Sequence, residues 1–148
     1  MEIRRSRPDD ATAIAEMEEK YFSDPWNKKD IFSYICSEDG MCFTASENGT
    51  PIAYVIGRII APEGEIYRVA VDERYRRRGI GYRLLSFALK TEKGRGLETT
   101  FLEVRSKNAA AIALYSAHGF KKLGTRKNYY HNPDDDATLM ILGLKPEF

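Results

Sequence analysis

Strand-like and helix-like patterns alternate in the middle of the chain, and this alternation limits the folds that the chain can adopt. EIYRVAVD at residues 65–72 and TTFLEVR at residues 99–105 are rich in β-branched and aromatic residues. Between them, apolar side chains recur at helical spacing: Leu84, Leu85, Ala88 and Leu89. Two strands joined by a crossover helix pair in parallel within one sheet. The sequence therefore predicts at least one parallel strand pair.

The segments before this crossover predict two helices and a hairpin. Apolar residues at helical spacing predict helices over residues 9–22, with Asp9 or Asp10 as the cap, and over residues 23–35. MCFTAS and PIAYVIGRII are strand-like and flank an Asn-Gly pair at positions 48 and 49, which is typical of a tight hairpin. The N-terminal half thus supplies two helices and two antiparallel strands.

The segments after the crossover predict one more helix and two closing strands. The helix covers residues 108–120, with Asn108 as its cap and Gly119 at its C-terminal end. The strands cover residues 120–126 and 137–144. Together the elements predict an α/β fold with a mixed sheet of about six to seven strands and about four helices on its two faces. Residues 1–148 are expected to form a single domain.

The bulk composition excludes several classes of protein. The net charge of +1 gives no general attraction to nucleic acid or membranes, so no direct binding to either is predicted. Two cysteines, Cys36 and Cys42, cannot build a disulfide framework. The two histidines do not indicate a zinc site, and no metal is expected. No apolar stretch is long enough to span a membrane, and the N-terminus lacks the apolar core of a signal peptide. We expect a reduced, cytoplasmic protein.

The connection between the first crossover strand and its helix has the composition of an anion site. YRRRGIGYRLL spans residues 75–85 and combines three consecutive arginines with Gly79 and Gly81. A helix N-terminus presents unpaired N–H groups, and glycines let the backbone approach a ligand closely. Arginine adds forked donors that suit phosphate. The segment matches neither the Walker loop nor the dinucleotide fingerprint, so a solvated basic turn is the alternative interpretation.

Residues 76–81 also resemble the [QR]-x-x-G-x-[GA] signature of the GNAT family of N-acetyltransferases. In that family the turn binds the pyrophosphate of acetyl-coenzyme A (acetyl-CoA), and the preceding strand offers main-chain groups to the pantetheine arm. The resemblance therefore implies acetyl-CoA as the co-substrate. It implies cofactor contacts from Val69, Ala70, Val71, Arg77, Arg78, Gly79, Ile80, Gly81, Tyr82 and Asn108.

Three further blocks are similar to the RimI-type branch of that family, the ribosomal-protein alanine N-acetyltransferases. FLEVRSKNAAAIALYSAHGF at residues 101–120 is the most specific of them. DPWNKKDIF precedes it in the chain, and RKNYYHNPDDDATLM follows it. The resemblance covers nearly the whole chain. It implies an acetyltransferase that modifies a protein N-terminus, with the N-terminal alanine of a small-subunit ribosomal protein as the favoured acceptor.

Two residues in the most specific block are candidate catalytic groups. Glu103 is a carboxylate in the middle of a strand, where it either forms a salt bridge, to Arg105 or Arg68, or faces a cleft. The family assigns the matching glutamate as the general base. A tyrosine such as Tyr115 in a helix is usually a core residue, but the resemblance assigns it as the acid that protonates the departing thiolate. Asn108 can serve both as helix cap and as cofactor contact.

The acceptor groove is less clearly indicated by the sequence. Trp26, Tyr129 and Tyr130 are candidate walls, with boundary packing as the alternative. The acidic run at residues 134–136 is interpreted as a solvated loop that could also meet a basic peptide. Residues around 23–29 and 131–136 depart from the branch pattern, which leaves peptide specificity open.

Elementary acid–base chemistry favours an α-amine as the acceptor. At pH 7 about a tenth of α-amines are neutral, against about one lysine in 2,500. A lysine side chain or a small amine remains the alternative acceptor. A nucleic-acid-binding module remains the alternative without catalysis, although basic and aromatic residues do not alternate along a strand as they do in RNA-binding sheets.

Overall fold

The computed structural model describes residues 1–143. The residues that it describes form seven strands and four α-helices, besides two short 3₁₀ turns. The strands are β1 (Glu2–Arg5), β2 (Phe43–Glu47), β3 (Thr50–Ile60), β4 (Glu63–Val71), β5 (Thr99–Arg105), β6 (Lys121–Tyr130) and β7 (Asp135–Gly143). The helices are α1 (Ala11–Tyr21), α2 (Lys28–Cys36), α3 (Ile80–Lys93) and α4 (Ala109–Ala117).

All seven strands belong to one mixed sheet in the order β1-β2-β3-β4-β5-β7-β6. The pair β4–β5, joined by α3, is parallel, and the other neighbouring pairs are antiparallel. The β2–β3 hairpin turns at Asn48 and Gly49, which both have positive φ as a two-residue turn of this kind requires. The predicted α/β fold, with its parallel pair and its hairpin, is confirmed.

The helices cover the two faces of the sheet in pairs. α3 packs on one face, where Leu84, Leu85 and Ala88 join a core that also contains Tyr115 of α4. α1 and α2 pack on the other face, where Ile14 and Ile31 belong to a second core around β3. β3 can serve both cores because successive side chains point to opposite faces of a strand. Two apolar layers therefore hold the central strands rigidly from both sides.

The parallel strands separate halfway along their length. β4 pairs with β5 only from Glu63 to Ile66, although both strands continue beyond that point. In the pairing of β4 with β3, Ile66 and Arg68 have partners but Tyr67 between them has none. Tyr67 is therefore a β-bulge, and it lies where β4 separates from β5. Opposite it stands Gly57, where a Cβ atom would lie 2.5 Å from the Glu65 carbonyl oxygen. The bulge and this glycine open a gap in the middle of the sheet.

The structure departs from the predicted elements at both ends of the chain. The sequence pattern does not predict the strand β1, and β6 runs to Tyr130 instead of ending near residue 126. Leu144, the last residue of the predicted closing strand, lies outside the described residues. Asp10 precedes α1 but forms no side-chain cap, because its carboxylate accepts hydrogen bonds from Arg4 and from the Arg7 backbone.

Candidate active site

The arginine–glycine connection forms one wall of a cavity of about 650 Å³, here called the donor cavity. Gly79 precedes the first turn of α3 with φ +74°, and it offers no side chain that could occupy the N–H groups of that turn. Arg77 also has a positive φ, of 65°. The N-terminus of α3 therefore faces the cavity with free backbone donors and the positive end of the helix dipole.

The three consecutive arginines have different surroundings. Arg76 donates from Nε to the Val71 carbonyl at 2.9 Å, and its guanidinium lies over the Tyr21 ring. Arg78 lies over the Tyr75 ring and does not line the donor cavity. Arg77 lines the cavity and has no hydrogen bond or ion pair to any residue in the described part of the chain. Arg77 is therefore the member of the run that is most available to an anionic ligand.

The opposite wall of the donor cavity comes from α4. Asn108 caps this helix by accepting a hydrogen bond from the Ala111 N–H at 3.1 Å, and it also lines the cavity. Tyr115 lies two turns further and is 5% exposed. Burial raises the pKa of Tyr115 well above its ordinary value, with a further contribution from Tyr130. Its hydroxyl therefore stays protonated at neutral pH.

The floor of the donor cavity is the part of β4 that has left β5. Val69, Ala70 and Val71 line it, and no strand pairs with them on that side within the described residues. Tyr82 forms part of the rim and stacks on His118 with the ring centroids 4.1 Å apart. Every predicted cofactor residue except Arg78 lines this cavity: Val69, Ala70, Val71, Arg77, Gly79, Ile80, Gly81, Tyr82 and Asn108.

A second cavity of about 610 Å³, here called the acceptor cavity, lies at the other side of the gap between β4 and β5. The predicted wall residues Trp26, Tyr129 and Tyr130 line it together with Glu103. Tyr130 links the two cavities electrostatically, because its pKa is raised to about 12 by burial and by Glu103, while it in turn raises the pKa of Tyr115. The structure thus brings the two catalytic candidates to neighbouring cavities.

Glu103 is the first residue of β5 beyond the segment that pairs with β4. Its carboxylate forms an ion pair with Arg126 of β6 at 3.4 Å, and a side-chain hydrogen bond with Glu103 raises the pKa of Tyr129. The alternative partners considered from sequence, Arg105 and Arg68, are wrong. Arg105 donates to the carbonyls of His131 and Pro133 instead. Glu103 is both an ion-pair partner and a cavity residue.

Sequence reasoning missed several residues that line the two cavities. Glu65 in the acceptor cavity has its pKa raised by burial and by the nearby charge of Glu103. Tyr67, the bulge residue, also lines this cavity, and its pKa is raised to about 12, mainly by burial. Arg68, the next residue in the chain, lines the acceptor cavity as well, and Tyr21 and Phe22 line the donor cavity. Only the order of strands and helices brings these residues to the site, so no local pattern could identify them.

Other kinds of site are not apparent in the described residues. Residues 1–143 contain no group of three or more histidine, cysteine, aspartate or glutamate side chains that could hold a metal ion. In the same range, no helix is long and apolar enough to cross a membrane. Cys36 and Cys42 are free thiols outside both cavities. Burial raises the pKa of Cys42 to about 11.

Comparison with known proteins identifies the family to which this chain belongs. The family model described as the acetyltransferase (GNAT) family matches residues 11–120. The chain belongs to this family of acetyltransferases.

Two curated relatives are similar to this chain over most of their length. The chain is 36% identical over 137 residues to the ribosomal protein bS18-alanine N-acetyltransferase of Escherichia coli, covering 91% of this chain and 92% of that protein. It is 36% identical to the N-alpha-acetyltransferase RimI of Mycobacterium tuberculosis, covering 88% and 85%. The crystal structure of the ribosomal-protein-S18-alanine N-acetyltransferase from Escherichia coli superposes with a TM-score of 0.89 at 33% identity, covering 99% and 96%.

Proposed function

We propose that this protein transfers the acetyl group of acetyl-CoA to the N-terminal α-amine of a protein, with the N-terminal alanine of ribosomal protein bS18 as the favoured acceptor. The observation that carries the proposal is the arrangement of two cavities on either side of the gap between β4 and β5. The names of the relatives support the acceptor. We further propose a single domain over residues 1–148 and a cytoplasmic location.

The donor cavity fits the chemistry of acetyl-CoA. Its pyrophosphate needs hydrogen-bond donors and positive charge, which the first turn of α3 and Arg77 offer. The pantetheine arm carries amide groups, which can pair with the edge of β4 at Val69 to Val71 as an added strand would, apart from the Val71 carbonyl, which accepts a hydrogen bond from Arg76. The thioester would then lie close to Tyr115.

The proposed reaction is a direct transfer in a ternary complex. Glu103 takes a proton from the acceptor ammonium, through a water molecule, because an amine attacks only when it is neutral. The amine nitrogen forms a bond to the thioester carbon, and the bond from that carbon to sulfur breaks. The attacking nitrogen then loses its second proton to become the amide, and the leaving thiolate takes up a proton. The positions of Cys36 and Cys42 outside both cavities support transfer without a covalent enzyme intermediate.

Tyr115 is the proposed donor to the leaving sulfur. Because burial keeps its hydroxyl protonated, it can donate a hydrogen bond throughout the reaction. The same raised pKa makes outright transfer to a thiolate less favourable, since thiols ordinarily have a pKa near 8.5. We therefore assign Tyr115 a smaller share of the rate enhancement than Glu103.

A peptide library tests the function. Purified protein is incubated with acetyl-CoA and peptides that carry a free N-terminal alanine and an internal lysine, and mass spectrometry locates the added acetyl group. We expect α-N-acetylation, with kcat/KM increasing with pH up to about 8 as the α-ammonium loses its proton. Exclusive ε-N-acetylation would show that lysine is the acceptor, and the absence of acetylation on any peptide or free amine would reject the enzyme proposal altogether.

A further inference from the structure

One buried carboxylate connects α1 to the wall of the acceptor cavity. Glu18 is completely buried, and its two oxygens accept hydrogen bonds from three donors. The Tyr54 hydroxyl and the backbone N–H of Trp26 donate at 2.5 and 3.0 Å, and Arg68 donates from Nε at 3.3 Å. Since a buried charge without partners is strongly unfavourable, these donors are needed to keep Glu18 in place.

Arg68 extends this contact to the segment between α1 and α2. Its Nη2 donates to the carbonyl oxygen of Asp24 at 2.6 Å and to the Asp24 carboxylate at 3.1 Å. Its guanidinium also lies 4.1 Å from the centroid of the Phe22 ring. The Arg68 side chain is only 13% exposed although it lines the acceptor cavity, so most of its surface is occupied by these contacts.

The segment held in this way, residues 22–26, is called the wall segment below. It lies outside the helices and strands, and only its first residue is held by the backbone of α1, through a hydrogen bond from the Phe22 N–H to the Glu18 carbonyl at 3.0 Å. Phe22 lines the donor cavity, whereas Asp24 and Trp26 line the acceptor cavity. Trp26 packs further against Tyr34 and Tyr67, with ring centroids 5.0 and 5.5 Å apart.

We propose that Arg68 is a positioning residue for the acceptor. By joining buried Glu18 to the backbone of Asp24, it holds the wall segment where the segment shapes the acceptor cavity. This inference rests on the proposed function, because it takes a peptide to be the occupant of that cavity. Arg68 itself needs no contact with the reacting atoms.

Trp26 provides a direct reporter, because it is the only tryptophan in the chain. In Arg68→Gln we expect its emission to shift to longer wavelength and its quenching by acrylamide to increase, since the wall segment loses the Arg68 fork at Asp24 and is tied to the Glu18 side chain only by the direct hydrogen bond from the Trp26 N–H. The KM for an alanine-terminated peptide should increase about tenfold, the range of a lost charge-assisted contact. The Kd for acetyl-CoA should stay within about twofold, and kcat should fall less than about threefold.

Two further variants distinguish a loss of positioning from a general loss of stability. Arg68→Lys keeps the positive charge but cannot reach Glu18 and Asp24 through one planar fork, so it should give intermediate values. Glu18→Gln combined with Arg68→Met removes the buried charge pair, which keeps the measurement interpretable if Arg68→Gln unfolds. Arg58→Gln is the matched control, because Arg58 is an exposed arginine on β3 that pairs with Asp39 at 4.0 Å, lines neither cavity and acts on Glu65 and Tyr67 only through its charge.

The outcomes distinguish this inference from the proposed function. Unchanged Trp26 emission and peptide KM in Arg68→Gln would overturn it, and so would an equal loss of acetyl-CoA affinity. If the wild-type protein acetylates no peptide, the proposed function fails. The fluorescence measurement, which needs no turnover, would then still decide whether Arg68 holds the wall segment.

Discussion

The donor and acceptor cavities lie side by side but are built in different ways. In the donor cavity, the groups proposed to bind the ligand are mainly backbone groups, at the first turn of α3 and the free edge of β4. The acceptor cavity is formed by side chains from separate segments, among them Trp26, Arg68, Glu103 and Tyr130. A site built from backbone groups depends on a few glycines and helix ends, whereas a site built from side chains depends on the identity of many residues that are far apart in the sequence. We therefore expect the donor cavity to tolerate most substitutions and the acceptor cavity to change readily when its residues are substituted.

The largest expected effect lies on the acceptor side. In Glu103→Gln, kcat/KM should fall on the order of 1,000-fold, within the range for loss of a general base, while the Kd for acetyl-CoA stays within about twofold. Steady-state kinetics and calorimetry measure the two quantities. Glu65→Gln is the control, because this carboxylate lines the same cavity and has no hydrogen bond or ion pair within residues 1–143. If Glu65→Gln reduces kcat/KM more than Glu103→Gln does, the general base is Glu65 and not Glu103.

Tyr115→Phe should reduce kcat by about 100-fold, the low end of the range for proton donors, because the raised pKa limits transfer to sulfur. The Tyr115 hydroxyl makes no hydrogen bond to any described residue, so the free energy of unfolding should change by less than about 0.5 kcal/mol. Rapid-quench kinetics and thermal unfolding test both statements. A variant with wild-type kcat would remove Tyr115 from the mechanism.

A glycine pair tests the backbone character of the donor cavity. Gly79→Ala and Gly49→Ala both place a side chain at positive φ, 74° and 81°, and the added Cβ atom would meet nothing within 4 Å at either position. Each should therefore destabilise the fold by about 1 kcal/mol. Only Gly79→Ala should weaken acetyl-CoA binding, by about tenfold in Kd, since only this turn faces the ligand. Equal affinities in the two variants would contradict a phosphate cradle at this turn.

The smallest expected effect separates two neighbouring arginines. Arg77→Gln should raise the Kd for acetyl-CoA about fivefold at low salt, because Arg77 lines the donor cavity. Arg78→Gln should change it less than about twofold, because the Arg78 guanidinium lies over Tyr75. Added salt should diminish the effect at Arg77 by screening an exposed charge. If the two residues contribute equally, the turn rearranges when it binds its ligand.

The donor side could be predicted from sequence because its determinants are local. The strand, the arginine–glycine turn and the first turn of α3 are consecutive in the chain, and Asn108 caps the helix that it begins. Hydrophobic periodicity likewise predicts the crossover and the hairpin. The strand β1 was missed because EIRR has three charged residues out of four and pairs along only one edge.

The acceptor side could not be predicted in the same way, because its contacts depend on strand order. The ion-pair partner of Glu103 is on β6, which β7 separates from β5 in the sheet. Arg105 is two residues away in sequence but is engaged by loop carbonyls. The contact of Arg68 with Glu18 joins residues 50 positions apart. No pattern within a single segment carries this information.

A sheet that opens between β4 and β5 has strand edges in its interior as well as at its rims. Exposed strand edges with unpaired N–H and C=O groups can recruit a strand from another molecule. The edge of β4 beyond Ile66 is of this kind until a ligand covers it. Bound coenzyme should therefore also protect the protein against aggregation in concentrated solution.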